Sequence, residues 1–384
     1  MRRDDPGGPG HADFLAADHD GFRTRVRALL DSLVSANAED WESERRISRS
    51  GWRSLGEAGL LSLDHAGPGF LHSAIFLEEL GGLGFGGIRA SVAVHAYMAT
   101  SYLHMFGTEE QRQRYLPGAR QGRLIAALAL TESTAGSDLR DLATRVYATE
   151  SGYRVQGEKL YVANGSQADF LITLAASRPP RGCSGLGAAS LLVVDGDAAG
   201  VSRHPEPMLG WHSADVCRVR LTDVDIGAGQ FVGRPDRAIL HLVQALDFER
   251  LVAGLLAVGG VGHCLALLHA FVREHHVKGV PLGAHQAVRH RIAELESSYE
   301  LVRFYGYRAA WLQANGRLDT RTASVLKLRA TELAVTAAQT CLQFHGARGY
   351  AADAVAARLY RDAMAGPIAG GASELLRDLV YETT

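Results

Sequence analysis

Residues 242–256 read LVQALDFERLVAGLL, and this stretch sets the character of the C-terminal part of the chain. Steps of three and four residues along a helix bring one set of side chains onto a single face. That face consists of Leu242, Ala245, Leu246, Glu249, Val252, Ala253 and Leu256. Every member except Glu249 is apolar. The pattern predicts a core-facing helix that carries one carboxylate among apolar neighbours.

The carboxylate of Glu249 has two interpretations. Loss of hydration on an apolar face raises the pKa of a carboxyl group toward neutrality, and such a group can act as a general base. Alternatively, Glu249 forms a structural ion pair with Arg250 or another buried arginine, and periodicity alone favours this outcome. Adjacent helical residues point in different directions, so Arg250 is a poor geometric partner.

Helical periodicity continues on both sides of this stretch. The segments predicted to be helices are Asp236–Ala257, Val261–His275, Ala287–Asn315, Thr320–His345 and Leu359–Tyr381. Helices of several turns each are the natural elements of a four-helix bundle. We therefore predict a C-terminal four-helix bundle over residues 234–384.

Residues 125–233 have a different pattern, because short β-branched runs alternate with Gly, Asn, Asp and Pro clusters. The predicted strands are Tyr153–Val155, Lys159–Val162, Phe170–Ala175, Ser190–Val194 and Val216–Val224. This spacing predicts a small antiparallel β domain. No strand–GxGxxG–helix unit is present, so a dinucleotide-binding Rossmann domain is not expected.

Residues 12–124 return to helical spacing. The predicted helices are Asp20–Ala36, Trp52–Leu61, Leu71–Leu80 and Ala90–Phe106. Thr108 is suited to cap one further helix, and Pro117 and Gly118 are expected to end it. The predicted fold class is α+β, with an N-terminal helical domain (12–124), a middle β domain (125–233) and the C-terminal bundle (234–384).

The composition limits the classes of function. A hydrophobic content of 47% supports a large core, and a net charge of -2 provides no basic field for nucleic acid. Neither a signal peptide nor a run of about 18 apolar residues is present, so we expect a cytoplasmic protein without a membrane span.

The cysteines lack metal-ligand spacing, and we expect free thiols and no metal site. They are Cys183, Cys217, Cys264 and Cys341.

Six motifs resemble those of acyl-CoA dehydrogenases, in the family's order and spacing over roughly residues 20–383. They are FGTEEQ with YLP at 106–117, LTESTAGSD at 130–138, GEKLYVANG at 157–165, LGWHS at 209–213, QFHGARGY at 343–350 and LYRDA at 359–363. The family fold of helical domain, β domain and four-helix bundle agrees with the three blocks described above. The resemblance implies FAD as the cofactor.

The resemblance also implies which residues contact FAD. One loop would meet the isoalloxazine and pyrophosphate through Leu130, Thr131, Gly136 and Ser137. The ring would be flanked by Tyr161, Val162 and Ala163. The flavin of a neighbouring subunit would be met by Gln343, Gly346 and Ala347, which implies a homodimer or homotetramer. The remaining implied contacts are His275, Ala372, Ser373 and Glu374.

Family members remove the α-proton of an acyl thioester with a carboxylate while a hydride leaves the β-carbon for the flavin. Most carry this base in a YEGT sequence near the C-terminus, but residues 368–374 here read IAGGASE and place Gly370 at that position. Isovaleryl-CoA dehydrogenase-type members carry the base in a D-x-E-R-L segment instead, and residues 247–251 read DFERL. The resemblance thus implies Glu249 as the base and Gly370 as a backbone donor. Implied substrate contacts are Ser137, Asp247, Arg250 and Gly371.

The implied substrate is an acyl thioester on CoA or on an acyl carrier protein, as in bacterial secondary metabolism. Lys278, Arg289 and Arg291 are candidates for a carrier-docking patch. The implied electron acceptor is an electron-transfer flavoprotein or oxygen.

This chain departs from the family pattern at several flavin contacts. Ala163 and Ala372 replace hydroxyl residues, His275 replaces an arginine, and Lys278 replaces an aromatic. These departures fit an alternative function, a flavin-dependent monooxygenase on the same fold. A flavin-free binding protein is a third alternative, which the intact motifs disfavour.

Overall fold

The N-terminal part of the chain is helical in this computed structural model, which describes residues 17–139, 141–150, 152–177 and 188–383. Its helices are α1 (Ala17–Leu33), α2 (Ala38–Ser43), α3 (Arg49–Glu57), α4 (Phe70–Gly81), α5 (Gly86–Ala93), α6 (Thr100–Phe106) and α7 (Glu109–Arg120). A π-helical segment, Val94–Ala99, joins α5 to α6, so the predicted helix over 90–106 contains an irregular turn. Cys183 and residues 12–16 of the predicted first domain lie outside the described residues.

Helix α7 begins as the sequence predicts and ends later. Thr108 accepts a hydrogen bond from the Gln111 N–H, and the Gln111 side chain accepts one from the Thr108 N–H, which forms a capping box. The expectation that Pro117 ends the helix is wrong, because Pro117 lies inside α7. Proline removes one helical hydrogen bond, and the burial of Tyr115 and Leu116 in the core keeps the helix in place.

The β domain is confirmed, with a mixed rather than purely antiparallel sheet. Its strands are β1 (Ala126–Ala129), β2 (Arg145–Thr149), β3 (Gly152–Val162), β4 (Phe170–Ala176), β5 (Ala189–Asp195), β6 (Val201–Pro205), β7 (Cys217–Ile226) and β8 (Phe231–Val232). They lie in the order β6-β7-β3-β2-β4-β5-β8, and β1 pairs with β4 in parallel, with Ala126 opposite Phe170. Hydrophobic alternation reports which face of a strand is buried and carries no information on strand direction.

The C-terminal part is again helical. Its elements are α8 (Ala238–Glu274), a hairpin of β9 (His276–Val277) and β10 (Val280–Pro281), α9 (Gln286–Ala314), α10 (Thr320–Tyr350), α11 (Val355–Ala363) and α12 (Ser373–Glu382). Two predicted boundaries are wrong. The segments predicted over 236–257 and 261–275 form one helix, α8, whereas the segment predicted over 359–381 forms two, α11 and α12. Residues 364–372, which include three glycines, separate those two helices.

The glycines of α8 continue the helix because another helix packs closely against them. A Cβ on Gly259 would lie 1.9 Å from the carbonyl oxygen of Glu78 in α4. A Cβ on Gly81 would lie 2.1 Å from the carbonyl oxygen of Leu256. Glycine weakens an isolated helix, but here it permits two backbones to meet.

Helix α8 is also long and apolar enough, by composition, to cross a membrane, since its most apolar window has a mean hydropathy of 2.1. However, 72% of that window is buried inside the protein, where α8 packs against α4, α9 and α10. This is the environment of a core helix.

We expect Gly259→Ala to lower the thermal unfolding midpoint, because its methyl group would overlap the Glu78 carbonyl. Overpacking of this kind costs about 1–3 kcal/mol. Gly306→Ala is the matched control in the middle of α9, where a Cβ meets its nearest neighbour at 3.5 Å. Alanine is more favourable than glycine inside a helix by about 1 kcal/mol. The unfolding midpoint of Gly306→Ala should therefore stay the same or rise. Equal midpoints for the two variants would contradict the close contact between α4 and α8.

Candidate active site

Glu249 lies on α8 and its carboxylate is almost completely buried, since only 4% of the residue is exposed. The hydroxyl of Tyr102, on α6, donates a hydrogen bond of 2.8 Å to Oε1 of this carboxylate. Burial raises the pKa of Glu249 to about 7, although the Tyr102 hydrogen bond and the charge of Arg250 act in the opposite direction. Among the residues that the structure describes, no arginine or lysine forms an ion pair with Glu249, so the structural ion-pair interpretation finds no support there.

Arg250 points to a different carboxylate. Its Nη1 donates to Oδ1 of Asp247 at 2.9 Å, and the hydroxyl of Thr320 donates to the other oxygen of Asp247 at 2.6 Å. The Nε of Arg250 is buried and has no hydrogen-bond partner within the described parts of the chain. A buried donor of this kind is costly unless a ligand or water satisfies it. The position of Arg250, next to Glu249, suits the predicted contact with substrate, which stays a prediction.

The loop at 130–138 is anchored to the sheet by a buried ion pair. The ammonium group of Lys159, on β3, donates to the carbonyl oxygen of Leu130 at 3.1 Å and to Oε1 of Glu132 at 2.6 Å. The Leu160 N–H also donates to the carbonyl oxygen of Thr131 at 2.9 Å. Burial lowers the pKa of Lys159 to about 8, and the charge of Glu132 opposes this effect. Sequence reasoning missed this pair, although both residues lie in quoted motifs.

Beyond that anchor, the predicted flavin contacts form an open surface. Gly136 and Ser137 are exposed, and a Cβ on Gly136 would meet no atom of the described residues within 4 Å. Tyr161 has a φ of 56° and is 59% exposed, which leaves an aromatic ring free to stack. Ala163 is half-buried. Val162 is buried in the core, with only 1% of the residue exposed.

The loop before α12 is tied to the bundle by a second buried lysine. Lys327, on α10, donates from Nζ to the carbonyl oxygen of Gly371 at 2.6 Å. Burial and the nearby charge of Arg250 lower the pKa of Lys327 to about 8. The structure therefore brings Gly371 and Arg250 into one neighbourhood, around a lysine that sequence reasoning missed. Gly370 is exposed with a φ of 68°, and within the described parts of the chain a Cβ there would meet no atom closer than 4 Å.

The residues after this loop differ in their exposure. Ser373 is buried, and its hydroxyl has no hydrogen-bond partner in the described residues. Ala372 caps α12 and is half-buried. Glu374 is exposed and lies 3.7 Å from Arg377. The Ser373 hydroxyl is thus an unpaired polar group at a predicted cofactor contact.

The predicted contacts with a neighbouring subunit's flavin lie at a kink in α10. Gln343, Gly346 and Ala347 are exposed, and Gly346 has a φ of 58° that interrupts the helix. Between them, the His345 ring stacks on Phe271 at 4.0 Å, and Phe271 stacks on His275 at 4.8 Å. The structure therefore joins His275 to the segment at 343–347 through Phe271, a residue that sequence reasoning missed.

The hairpin that follows His275 carries a positive charge at its tip. Lys278 is exposed there with a φ of 51°. A cavity of about 540 Å³ lies beside the hairpin, lined in part by His269, Arg273 and Arg289. At 1.5 Å per helical residue, His269 is about 30 Å from Glu249 along α8. The cavity is therefore separate from the surroundings of Glu249.

Three family models match the chain. They are acyl-CoA dehydrogenase, N-terminal domain, over residues 16–123, the middle domain over 127–224, and the C-terminal domain over 240–384. The chain belongs to the acyl-CoA dehydrogenase family. It is therefore an FAD-dependent oxidoreductase that acts on CH–CH bonds, and the predicted three-part fold is confirmed. The open backbone at Gly136 and the unpaired hydroxyl of Ser373 fit such a cofactor.

Individual relatives agree with this assignment. The chain is 29% identical to the mitochondrial long-chain specific acyl-CoA dehydrogenase of Rattus norvegicus, over 96% of this chain and 86% of the relative. An acyl-CoA dehydrogenase structure from Geobacillus kaustophilus superposes with a TM-score of 0.90 at 28% identity, over 96% of this chain and 98% of that one. The prolyl acyl carrier protein oxidase AnaB superposes with a TM-score of 0.87 at 26% identity, over 96% and 99%.

We expect Lys159→Met to lower the flavin content of the purified enzyme, because it leaves the buried Glu132 charge without its cationic partner. Breaking a buried pair costs about 3–5 kcal/mol, and here it would release the loop at 130–138, the predicted flavin contact. Arg154→Met is a control on the same strand, since Arg154 pairs with Asp225 at the surface. Flavin absorbance per protein should fall only in the first variant. Normal flavin content in Lys159→Met would show that the ion pair does not hold the loop for FAD.

Proposed function

We propose that this enzyme catalyses the α,β-dehydrogenation of an acyl thioester, with Glu249 as the base that removes the α-proton. The observation that supports this most is the carboxylate of Glu249, buried on the apolar face of α8 with a pKa of about 7. A base with a pKa near the working pH combines a sufficient ionised fraction with a strong driving force for proton transfer. At the position where most family members carry their base, Gly370 has no side chain to take a proton.

The remaining steps are assigned to groups around Glu249. Bound FAD supplies the acceptor for the hydride that leaves the β-carbon. The α-carbon becomes acidic when a hydrogen-bond donor polarises the thioester carbonyl, and the open backbone at Gly370 suits this purpose. Arg250, with its unpaired Nε, and Asp247 would hold the part of the substrate that leads to the thioester. The hydrogen bond from Lys327 would hold Gly371 in a fixed position relative to Arg250 and Asp247.

The carrier of the acyl group is proposed to be CoA or an acyl carrier protein. Similarity to the long-chain acyl-CoA dehydrogenase supports the first, and similarity to the prolyl acyl carrier protein oxidase supports the second. Lys278 and Arg289 are exposed, as a docking patch for an acidic carrier requires, but Arg291 bonds within the protein to Thr340.

The proposed assembly is a homodimer or homotetramer in the cytoplasm, and the proposed electron acceptor is an electron-transfer flavoprotein or oxygen. Large apolar side chains that are exposed in the single chain support oligomerisation. The most exposed of these are Tyr381, Tyr350, Leu301, Ile368 and Leu209.

We expect Glu249→Gln to slow anaerobic bleaching of the flavin by a thioester substrate about 10²–10⁴-fold, because glutamine keeps the shape of the side chain but takes no proton. Glu300→Gln, an exposed substitution on α9, is the control and should bleach at the normal rate. The substrates are matched acyl-CoA and acyl-carrier thioesters, so the faster series identifies the carrier. Unchanged bleaching in Glu249→Gln would refute the base assignment.

If no thioester bleaches the flavin but the protein consumes oxygen with an external reductant, the dehydrogenase proposal fails. The alternative, a flavin-dependent monooxygenase on the same fold, would then replace it.

We also expect the rate of flavin reduction to fall as the pH drops below about 7. Proton abstraction requires the ionised carboxylate, and burial raises the pKa of Glu249 to about 7. The ionised fraction and kcat/KM should therefore decrease about tenfold per pH unit below that value and level off above it. Stopped-flow measurements from about pH 5.5 to 8.5 provide the profile. A profile without this acidic limb would argue against a single base of that pKa.

A further inference from the structure

We propose that Tyr102 positions the carboxylate of Glu249 and forms a wall of the pocket that receives the acyl group. This inference rests on the proposed function of Glu249 as the base. It assigns a role to a residue that belongs to none of the motifs in the chain and lies far from Glu249 in sequence.

The pairing of Tyr102 with Glu249 is isolated from water. Tyr102 is fully buried, and its hydroxyl lies 2.8 Å from Oε1 of the almost fully buried carboxylate. Each polar group would be costly to bury alone, and each satisfies the other. In the described residues, the groups that act on the charge of Glu249 are Tyr102 from α6 and Arg250 from α8 itself.

The hydrogen bond makes the two carboxylate oxygens different. Oε1 accepts from Tyr102, which leaves Oε2 to take a proton from substrate. Burial and the adjacent carboxylate raise the pKa of Tyr102 well above its usual range, so the phenol stays protonated and remains a donor throughout the reaction. It therefore stabilises the ionised base without competing for the proton.

The backbone around Tyr102 is well fixed. Thr100 donates from its hydroxyl to the carbonyl oxygen of Ala96 at 2.8 Å, and Ser101 donates to that of Met98 at 2.7 Å. These bonds hold α6 to the π-helical segment that precedes it. The phenol packs in the same core cluster as Leu242 and Ala245, which precede Glu249 on α8. Packing of this kind restricts both partners of the hydrogen bond, as positioning requires.

The same geometry places Tyr102 beside the acyl group. A carbon that gives up its proton to Glu249 must approach the carboxylate to within about 3.5 Å. The phenol oxygen touches that carboxylate at 2.8 Å. The α-carbon and the phenol oxygen thus both lie against the carboxylate, and a few bonded atoms span the distance between them. An acyl group that extends toward α6 therefore meets the phenol. Tyr102 therefore favours acyl groups that are compact around the α- and β-carbons.

The positioning role is tested with Tyr102→Phe in the flavin-loaded enzyme. The control is Tyr307→Phe, which removes the hydroxyl from a second buried tyrosine–glutamate pair, Tyr307 with Glu78. The pKa of Glu249 is measured by infrared titration of its carboxylic-acid band, which Glu249→Gln identifies by its loss. Loss of the Tyr102 hydrogen bond should raise this pKa by about one unit. The acidic limb of the pH profile of flavin reduction should move to higher pH together with this pKa. In Tyr307→Phe, neither the pKa of Glu249 nor the acidic limb should change.

The pocket role is tested with Tyr102→Leu, which keeps an apolar side chain but removes the end of the phenol. The ratio of kcat/KM for a longer or branched acyl thioester to that for a short one should rise about tenfold or more. An unchanged ratio would refute the pocket role, and an unchanged pKa in Tyr102→Phe would refute the positioning role. Full activity of Glu249→Gln would instead refute the proposed base, so the two failures are distinguishable.

Discussion

The burial of α8 is the constraint on which the rest of the structure depends. This helix packs against α4, α9 and α10, and its apolar residues account for much of the core. The contact with α4 has no room for a side chain at Gly259 or Gly81, which fixes the register of the two helices. Because Glu249 belongs to the same helix, the packing that stabilises the bundle also decides where the carboxylate lies and how little water reaches it.

Three buried polar contacts connect this core to the site. Tyr102 joins α6 to Glu249, Lys159 joins β3 to the loop at 130–138, and Lys327 joins α10 to Gly371. A buried charge or hydroxyl without a partner costs more free energy than a paired one gains. Each contact therefore discriminates against structures in which the loop or helix is displaced. The contacts that stabilise the fold thus also arrange the groups around Glu249.

Much of this arrangement could be predicted from the sequence. The apolar face around Glu249 and the cap at Thr108 depend on local periodicity and local hydrogen bonds, and both predictions are confirmed. The single helix α8 could not be predicted, because Gly259 and Gly260 indicate a break unless the contact with Glu78 is known. The hydrogen bond of Tyr102 joins residues that are distant in sequence, and a tyrosine on an apolar helix gives no sign of its partner.

The position of the proposed base, Glu249, on α8 has a consequence for the loop at 368–372. Where a carboxylate lies on such a loop, one segment must hold the base and also present backbone to the substrate. Here the proposed base belongs to a long buried helix, so the loop would contribute only its backbone. Gly370 and Gly371 both have positive φ, which favours glycine, and the bond from Lys327 to Gly371 provides the fixed point that a flexible glycine pair lacks. In the proposed mechanism, Glu249 on α8 would take the proton and Lys327 on α10 would fix the loop backbone, so two rigid helices would share the tasks that a single loop residue would otherwise perform.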